Sequence, residues 1–158
     1  MFSLFARNLF FTILQPGIVA GLIPYWIIRG KFHPHVNNES LRLTQYLGEL
    51  LLITGLVIMV SCIMNFAIKG KGTLSPADPT KELVVTGLYK YSRNPMYIGV
   101  SLILIAEALF FQSIYLWLYA ALIIIAFNLF IIFFEEPRLR RDFGVSYEEY
   151  CKKTRRWI

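Results

Sequence analysis

Long apolar runs, separated by short polar segments, constrain the fold of this chain more than any other feature. A helix needs about 20 apolar residues to cross the roughly 30 Å hydrocarbon layer of a bilayer. Suitable stretches occur at residues 4–28, 46–68, 96–111 and 114–134. With 56% hydrophobic residues in a chain of 158, the composition is too apolar for a soluble domain of this size. The sequence therefore predicts a single all-α membrane domain with about four transmembrane helices.

Local sequence features predict how these helices are built and joined. Pro16 and Pro24 interrupt the first run and predict a kinked helix. Only Gln112 and Ser113 separate the third and fourth runs, which predicts an antiparallel helical hairpin. After the last run, apolar side chains recur every three or four residues, as expected for one face of an amphipathic helix on the membrane. That face comprises Leu139, Phe143, Tyr147 and Tyr150, with Trp157 as an interfacial anchor.

The distribution of positive charge predicts the orientation of the helices. Four spans place both termini and the 69–95 segment on one side of the membrane, and the 29–45 loop on the other. The first side carries thirteen of the sixteen basic residues: Arg7, Lys69, Lys71, Lys81, Lys90, Arg93, Arg138, Arg140, Arg141, Lys152, Lys153, Arg155 and Arg156. By the positive-inside rule, both termini and the 69–95 segment face the cytoplasm.

Several functional classes are disfavoured by the sequence. The net charge of +6 comes from cations beside apolar spans, so membrane phosphates are the expected partner and nucleic acid is not. Cys62 and Cys151 have neither metal-ligand spacing nor a disulfide framework. His33 and His35 have no third ligand nearby, which favours a solvated loop and no metal site. The first residues lack the features of a cleaved signal peptide, so we expect none.

Two polar segments at the predicted cytoplasmic ends of the third and fourth spans are candidates for a site. One is LVVTGLYKYSRNPMYIG at residues 83–99, in which Asn94 and Pro95 suit a helix N-cap and first helical position. The other is EEPRL at residues 135–139. The hairpin puts Asn128 level with Tyr97, and Glu135 two helical turns further on. We therefore predict that Asn94, Tyr97, Asn128 and Glu135 line one cavity open to the cytoplasm.

The adjacent acids Glu135 and Glu136 need a compensating positive charge, because carboxylates are disfavoured at the C-terminal end of a helix. The charge could come from neighbouring arginines, or from a bound cationic ligand. The candidate arginines are Arg93, Arg138, Arg140 and Arg141. The tyrosines of the first segment could equally form an aromatic belt or a site.

These motifs resemble those of the isoprenylcysteine carboxyl methyltransferase and phospholipid methyltransferase superfamily of integral membrane enzymes. The resemblance covers roughly residues 46–158. It is carried by Leu83-Val84, Gly87-x-Tyr89, Arg93-Asn94-Pro95-x-Tyr97-x-Gly99, Glu135-Glu136, Phe143-Gly144, Tyr147 and Tyr150. Asn94 stands where the superfamily usually has His. Ile131 stands where the isoprenylcysteine enzymes have an Arg that holds the substrate carboxylate, which argues against a prenylated cysteine substrate.

The resemblance implies an S-adenosylmethionine-dependent methyltransferase acting on a lipophilic, membrane-embedded substrate. It implies cofactor contacts from Lys81, Glu82, Leu83, Val84, Tyr89, Asn94, Pro95, Met96 and Tyr97, with Glu135 binding the polar end of the cofactor. An amine substrate would need a proton acceptor, for which Glu136 is the candidate. A carboxylate substrate would need a cationic clamp, for which Arg93 or Arg138 is available. The alternatives are an NADPH-dependent reductase of the sterol-reductase type and a non-catalytic helical scaffold.

Overall fold

The computed structural model describes residues 16–29, 39–69 and 83–158. Throughout these ranges the regular elements are helical, so the all-α prediction is confirmed for them. The α-helices are α1 (Ile23–Ile28), α2 (Glu39–Lys69), α3 (Pro95–Phe111), α4 (Ile114–Phe130), α5 (Glu136–Phe143) and α6 (Val145–Lys153). A π-helical turn, Ile18–Leu22, precedes α1, and a second, Ile131–Glu135, joins α4 to α5. A 3₁₀ turn, Gly87–Lys90, lies ahead of α3.

Two helical segments in the described residues are long and apolar enough to cross a membrane, namely Leu43–Asn65 and Ile114–Phe143. They overlap the spans predicted at 46–68 and 114–134. Ile18–Ile28 and Pro95–Phe111 are apolar but shorter, and residues 4–15 of the first predicted span lie outside the described ranges. One side of the α4 segment is an exposed apolar stripe: Ile114, Leu118, Leu122, Ile125, Leu129 and Phe133. Such a surface is typical of contact with lipid, as expected for the predicted membrane protein.

Helices α2 and α3 approach closely where glycines face each other. A Cβ atom on Gly55 would lie 2.7 Å from the carbonyl oxygen of Gly99 and 2.8 Å from Cγ1 of Ile103. A Cβ atom on Gly48 would lie 3.0 Å from the carbonyl oxygen of Ala106. Small residues let membrane helices pack backbone to backbone, and here they bring α2 against the helix that carries Tyr97.

Helices α3 and α4 are joined by Gln112 and Ser113, with Gln112 in the left-handed conformation at φ 48°. Their buried contact is formed by Val100 and Leu104 of α3 and Ala120 of α4. This packing fixes the start of α3 relative to the end of α4, where the two polar segments lie.

The C-terminal tail requires a correction. We predicted one helical face running from Leu139 to Tyr150, but Gly144 separates α5 from α6 with φ 49° and ψ −124°. Only glycine adopts that conformation without strain. The chain therefore changes direction at Gly144, and Tyr147 and Tyr150 of α6 are buried.

Candidate active site

The segment that leads into α3 is fixed against α2 and α6. Val84 and Tyr89 pack with Cys62 of α2 in a buried cluster. Gly87 has φ 62°, and any Cβ there would overlap the Asn65 side chain. The Tyr150 hydroxyl donates a hydrogen bond to the Tyr89 carbonyl oxygen at 2.5 Å. The site candidates Lys81 and Glu82 lie outside the described residues.

Helix α3 begins at the predicted position, but the predicted capping hydrogen bond is not formed. Asn94 is the N-cap and Pro95 follows as the first helical residue, but the Asn94 side chain makes no capping hydrogen bond. Its Nδ2 instead donates to the carbonyl oxygen of Arg156 at 3.0 Å, and its backbone N–H donates to Ser92 Oγ at 3.1 Å. The amide is therefore used to hold the C-terminal end of the chain.

The two adjacent carboxylates have different environments. Glu136 is only 8% exposed, and Arg156 binds both its oxygens, with Nε 2.8 Å from Oε1 and Nη2 2.9 Å from Oε2. Arg93 adds a second cation, with Nη1 3.2 Å from Oε1. Glu135 accepts a hydrogen bond of 2.7 Å from the Tyr97 hydroxyl to its Oε2, and no ion pair joins it to a cation of the described residues. The protein therefore neutralises Glu136 and leaves Glu135 with a hydroxyl partner.

The predicted arginines contribute unequally to this neutralisation. Arg93 contacts Glu136 and also donates to Cys151 Sγ at 2.7 Å and to the Tyr147 hydroxyl at 3.4 Å. Arg138 pairs with Asp142 at 3.5 Å, one turn along α5. The strongest partner of Glu136, Arg156, was missed by the sequence reasoning, since nothing in the sequence distinguished it from the other basic residues of the tail.

Residues 154–157 form what we call the C-terminal strap. Its backbone accepts a hydrogen bond from Arg93 N–H at the Arg155 carbonyl oxygen, 2.9 Å away. Trp157 Nε1 donates to Asn128 Oδ1 at 3.2 Å, so Trp157 is a packing contact as well as a candidate anchor. The strap therefore holds the segment before α3 and the end of α4 together.

The four residues predicted to line one cavity divide into two groups. Tyr97 bonds directly to Glu135, and its ring also packs edge-on against Phe127 with centroids 4.9 Å apart. Asn94 and Asn128 instead bond to the C-terminal strap. The π-helical turn Ile131–Glu135 has a wider turn than an α-helix, so seven residues after Asn128 do not make two α-helical turns. The assumption of a regular helix was therefore wrong here.

A groove of about 510 Å³ opens between the segment before α3 and α6. Leu83 and Val85 supply apolar lining, and Lys90, Lys153 and Glu149 supply charge. Leu83 is also one of the predicted cofactor contacts, so the groove adjoins the predicted site.

Burial favours the neutral form of Tyr89 and Tyr150. It raises the pKa of Tyr150 from 10 to about 12, and it raises the pKa of Tyr89 well above its usual value. The hydrogen bond to Glu136 raises the pKa of Arg156. At neutral pH the two tyrosines therefore keep their hydroxyl protons, and Arg156 is fully protonated.

Comparison with known proteins now identifies the family. Residues 43–146, about two thirds of the chain, match the phospholipid methyltransferase family. The chain belongs to that family. The resemblance predicted from the sequence motifs is thus confirmed, and the match makes this protein a membrane methyltransferase of a lipid-modifying family. The C-terminal strap lies beyond the matched residues.

Two further comparisons add little to this phospholipid methyltransferase assignment. Sixty-three residues, 40% of this chain, are 38% identical to the whole length of an uncharacterized protein of Haemophilus influenzae. No solved structure matches the chain significantly.

The structure also describes the position where this family member departs from the isoprenylcysteine enzymes. Ile131 is fully buried at the start of the π-helical turn. Ile131 therefore occupies an apolar packing position in this methyltransferase. An arginine at this position would place its guanidinium group in the core.

Proposed function

We propose that this protein transfers a methyl group from S-adenosylmethionine to an oxygen or nitrogen of a lipophilic, membrane-embedded substrate. The observation that carries the proposal is the contrast between Glu136, held by two guanidinium groups, and Glu135, held by a tyrosine hydroxyl. A largely buried carboxylate that forms no ion pair with a cation of the described residues is a suitable partner for a cationic ligand.

The residues around Glu135 fit such a ligand. S-adenosylmethionine carries an ammonium and a sulfonium group, and when bound it supplies an electrophilic methyl group. Glu135 would bind the ammonium end, and the ring of Tyr97 would contribute an electron-rich surface beside a positive charge. Leu83, Val84, Tyr89, Asn94, Pro95 and Met96 are the proposed further contacts, together with Lys81 and Glu82 outside the described ranges.

The three residues proposed for catalysis already have protein partners. Arg93 and Glu136 pair with each other, and Arg138 pairs with Asp142. A carboxylate bound to two guanidinium groups is a weak proton acceptor. These contacts favour a reaction that depends on alignment and exclusion of water, with Glu136, Arg93 and Arg138 shaping the site more than moving protons.

The finer topology forms part of the proposal. We place four membrane spans, at residues 4–28, 46–68, 96–111 and 114–134, with the last two as a hairpin. Both termini and a cofactor region made of residues 81–99 and 135–150 lie on the cytoplasmic side. The charge distribution supports this orientation, because thirteen of the sixteen basic residues then face the cytoplasm.

The decisive experiment is calorimetric binding of S-adenosylmethionine to detergent-purified protein. We expect micromolar affinity, about −8 kcal/mol, and its loss in Glu135→Gln, which removes the charge and keeps the shape. Glu148→Gln is the matched control, because Glu148 is an exposed acid on α6 and its loss leaves Glu135 unchanged.

Two outcomes would contradict the proposal. Equal affinity in the wild type and Glu135→Gln would remove Glu135 from the site. No binding to folded wild-type protein, accompanied by NADPH binding, would favour the reductase alternative.

A further inference from the structure

We infer that the C-terminal strap, residues 154–157, completes the cofactor site, and that Arg156 is a positioning residue for Glu135. The inference rests on the proposed function, and it adds a part of the chain that lies outside the family match at residues 43–146.

The strap contacts both polar segments of the site at once. The Arg156 side chain binds both carboxylate oxygens of Glu136, at 2.8 and 2.9 Å. Its backbone carbonyl oxygen accepts hydrogen bonds from Asn94 Nδ2 at 3.0 Å and from Ser92 Oγ at 3.3 Å. One residue therefore links the end of the α4 segment to the start of α3.

The consequence for Glu135 follows from the chain itself. Glu135 and Glu136 are consecutive, so fixing the Glu136 carboxylate also fixes the backbone from which Glu135 projects. The π-helical turn Ile131–Glu135 ends at this point, and α5 begins there with Glu136. A bidentate guanidinium contact restrains both direction and distance, which a single ammonium contact does not.

The charge of Arg156 also connects it to the function of Glu135. Without Arg156, the buried Glu136 would keep one ion pair in the described part of the chain, with Arg93, and Arg140 would act on it only at longer range. It would then compete with Glu135 for the positive end of a ligand. Arg156 thus gives the adjacent acids different functions, one structural and one available for binding.

Other connections of the strap support the same arrangement. Ser92 and Arg155 form a parallel bridge, and Arg93 N–H donates to the Arg155 carbonyl oxygen. Thr154 Oγ1 donates to the Lys90 carbonyl oxygen at 3.3 Å. These backbone contacts leave the Arg155 side chain exposed, so Arg155 and Arg156 differ in their side-chain environment while sharing one strap.

That difference provides a matched pair of variants. We would measure S-adenosylmethionine affinity by calorimetry for the wild type, Arg156→Gln, Arg155→Gln and Arg156→Lys, at a temperature where each is fully folded. Arg156→Gln is expected to weaken binding about tenfold, the value for a lost contact of a coupled pair. Arg155→Gln removes the same charge from the same strap and should stay within about twofold. Arg156→Lys should recover part of the affinity, since it restores charge without the bidentate contact.

A double-mutant cycle separates positioning from general destabilisation. If Arg156 acts through Glu136, Arg156→Gln combined with Glu136→Gln should bind no more weakly than the weaker of the two single variants. Independent effects would instead multiply.

The results distinguish this inference from the proposed function. Wild-type affinity in folded Arg156→Gln, with binding lost in Glu135→Gln, would overturn the positioning role and leave the proposed function standing. Equal weakening by Arg155→Gln and Arg156→Gln would also overturn it, because net charge would then be the cause. Failure of the wild type to bind would overturn both.

Discussion

Removal of the Tyr97 hydroxyl is the most informative small change in the proposed site. Tyr97→Phe keeps the ring, whose edge-on contact with Phe127 has centroids 4.9 Å apart, and deletes only the donor to Glu135. The 2.7 Å distance between Tyr97 Oη and Glu135 Oε2 is that of a charge-assisted hydrogen bond.

The size of the effect can be worked out from this contact. A hydrogen bond to a charged group contributes about 1.5 to 3 kcal/mol. Tyr97 and Glu135 are both partly exposed, so water replaces part of the lost bond and the lower end of the range applies. Releasing Glu135 from the orientation that this bond maintains would cost binding at most the same energy, and about 1.5 kcal/mol corresponds to roughly tenfold in affinity. We therefore expect Tyr97→Phe to bind S-adenosylmethionine more weakly, by up to about tenfold.

Calorimetry on purified protein measures this directly, with Tyr91→Phe as the control. Tyr91 lies in the same segment but is 76% exposed, so losing its hydroxyl should change affinity less than about twofold. An unchanged affinity in Tyr97→Phe would refute the assignment of Glu135 as the residue that needs this hydroxyl. A similar loss in both variants would show that the segment responds to any substitution.

Two further predictions concern the fold and its orientation. Gly55→Ala should destabilise the protein by about 1 to 3 kcal/mol, because the new methyl group would lie 2.7 Å from the Gly99 carbonyl oxygen. The thermal midpoint should fall in Gly55→Ala and not in Gly21→Ala, where the added methyl has no described atom within 4 Å beyond its chain neighbours and its own helix backbone; equal midpoints would refute the close packing of α2 on α3. For the orientation, Cys151 is first replaced by Ser so that the native thiol does not react, and Cys62 is buried. In that background Lys152→Cys should react with a membrane-impermeant maleimide from the cytoplasmic side and Ser113→Cys from the opposite side; labelling of both from one side would contradict the proposed topology.

Sequence patterns predicted the helices because the hydrophobic requirement of a membrane span is local. An apolar run of sufficient length can be recognised without knowing which segments it packs against. The structure has helices at 46–68, 96–111 and 114–134. The order and spacing of the polar motifs likewise sufficed for the family, as the match over residues 43–146 confirms.

Local regularity was a poor guide where the backbone departs from an ideal helix. The predicted levels of Asn128 and Glu135 assumed 3.6 residues per turn, but a π-helical turn intervenes. The prediction of one continuous helical face in the tail did not take account of Gly144, whose positive φ changes the direction of the chain. Both departures change which side chains meet, and neither alters the apolar pattern from which helices are recognised.

By itself, the sequence determined that this chain is helical, that it belongs in a membrane and that its polar motifs are those of a methyltransferase family. Only the tertiary structure decided which basic side chain forms an ion pair with which carboxylate. Arg156 pairs with Glu136 twenty residues away, and its carbonyl oxygen meets Asn94 across sixty-two. The physical reason is that insertion into lipid depends on the composition of one segment. An ion pair between distant residues depends on how the fold brings two segments of the chain together. Here α5 and α6 bring the strap back to Glu136 and Asn94, and Glu135 lies beside Tyr97.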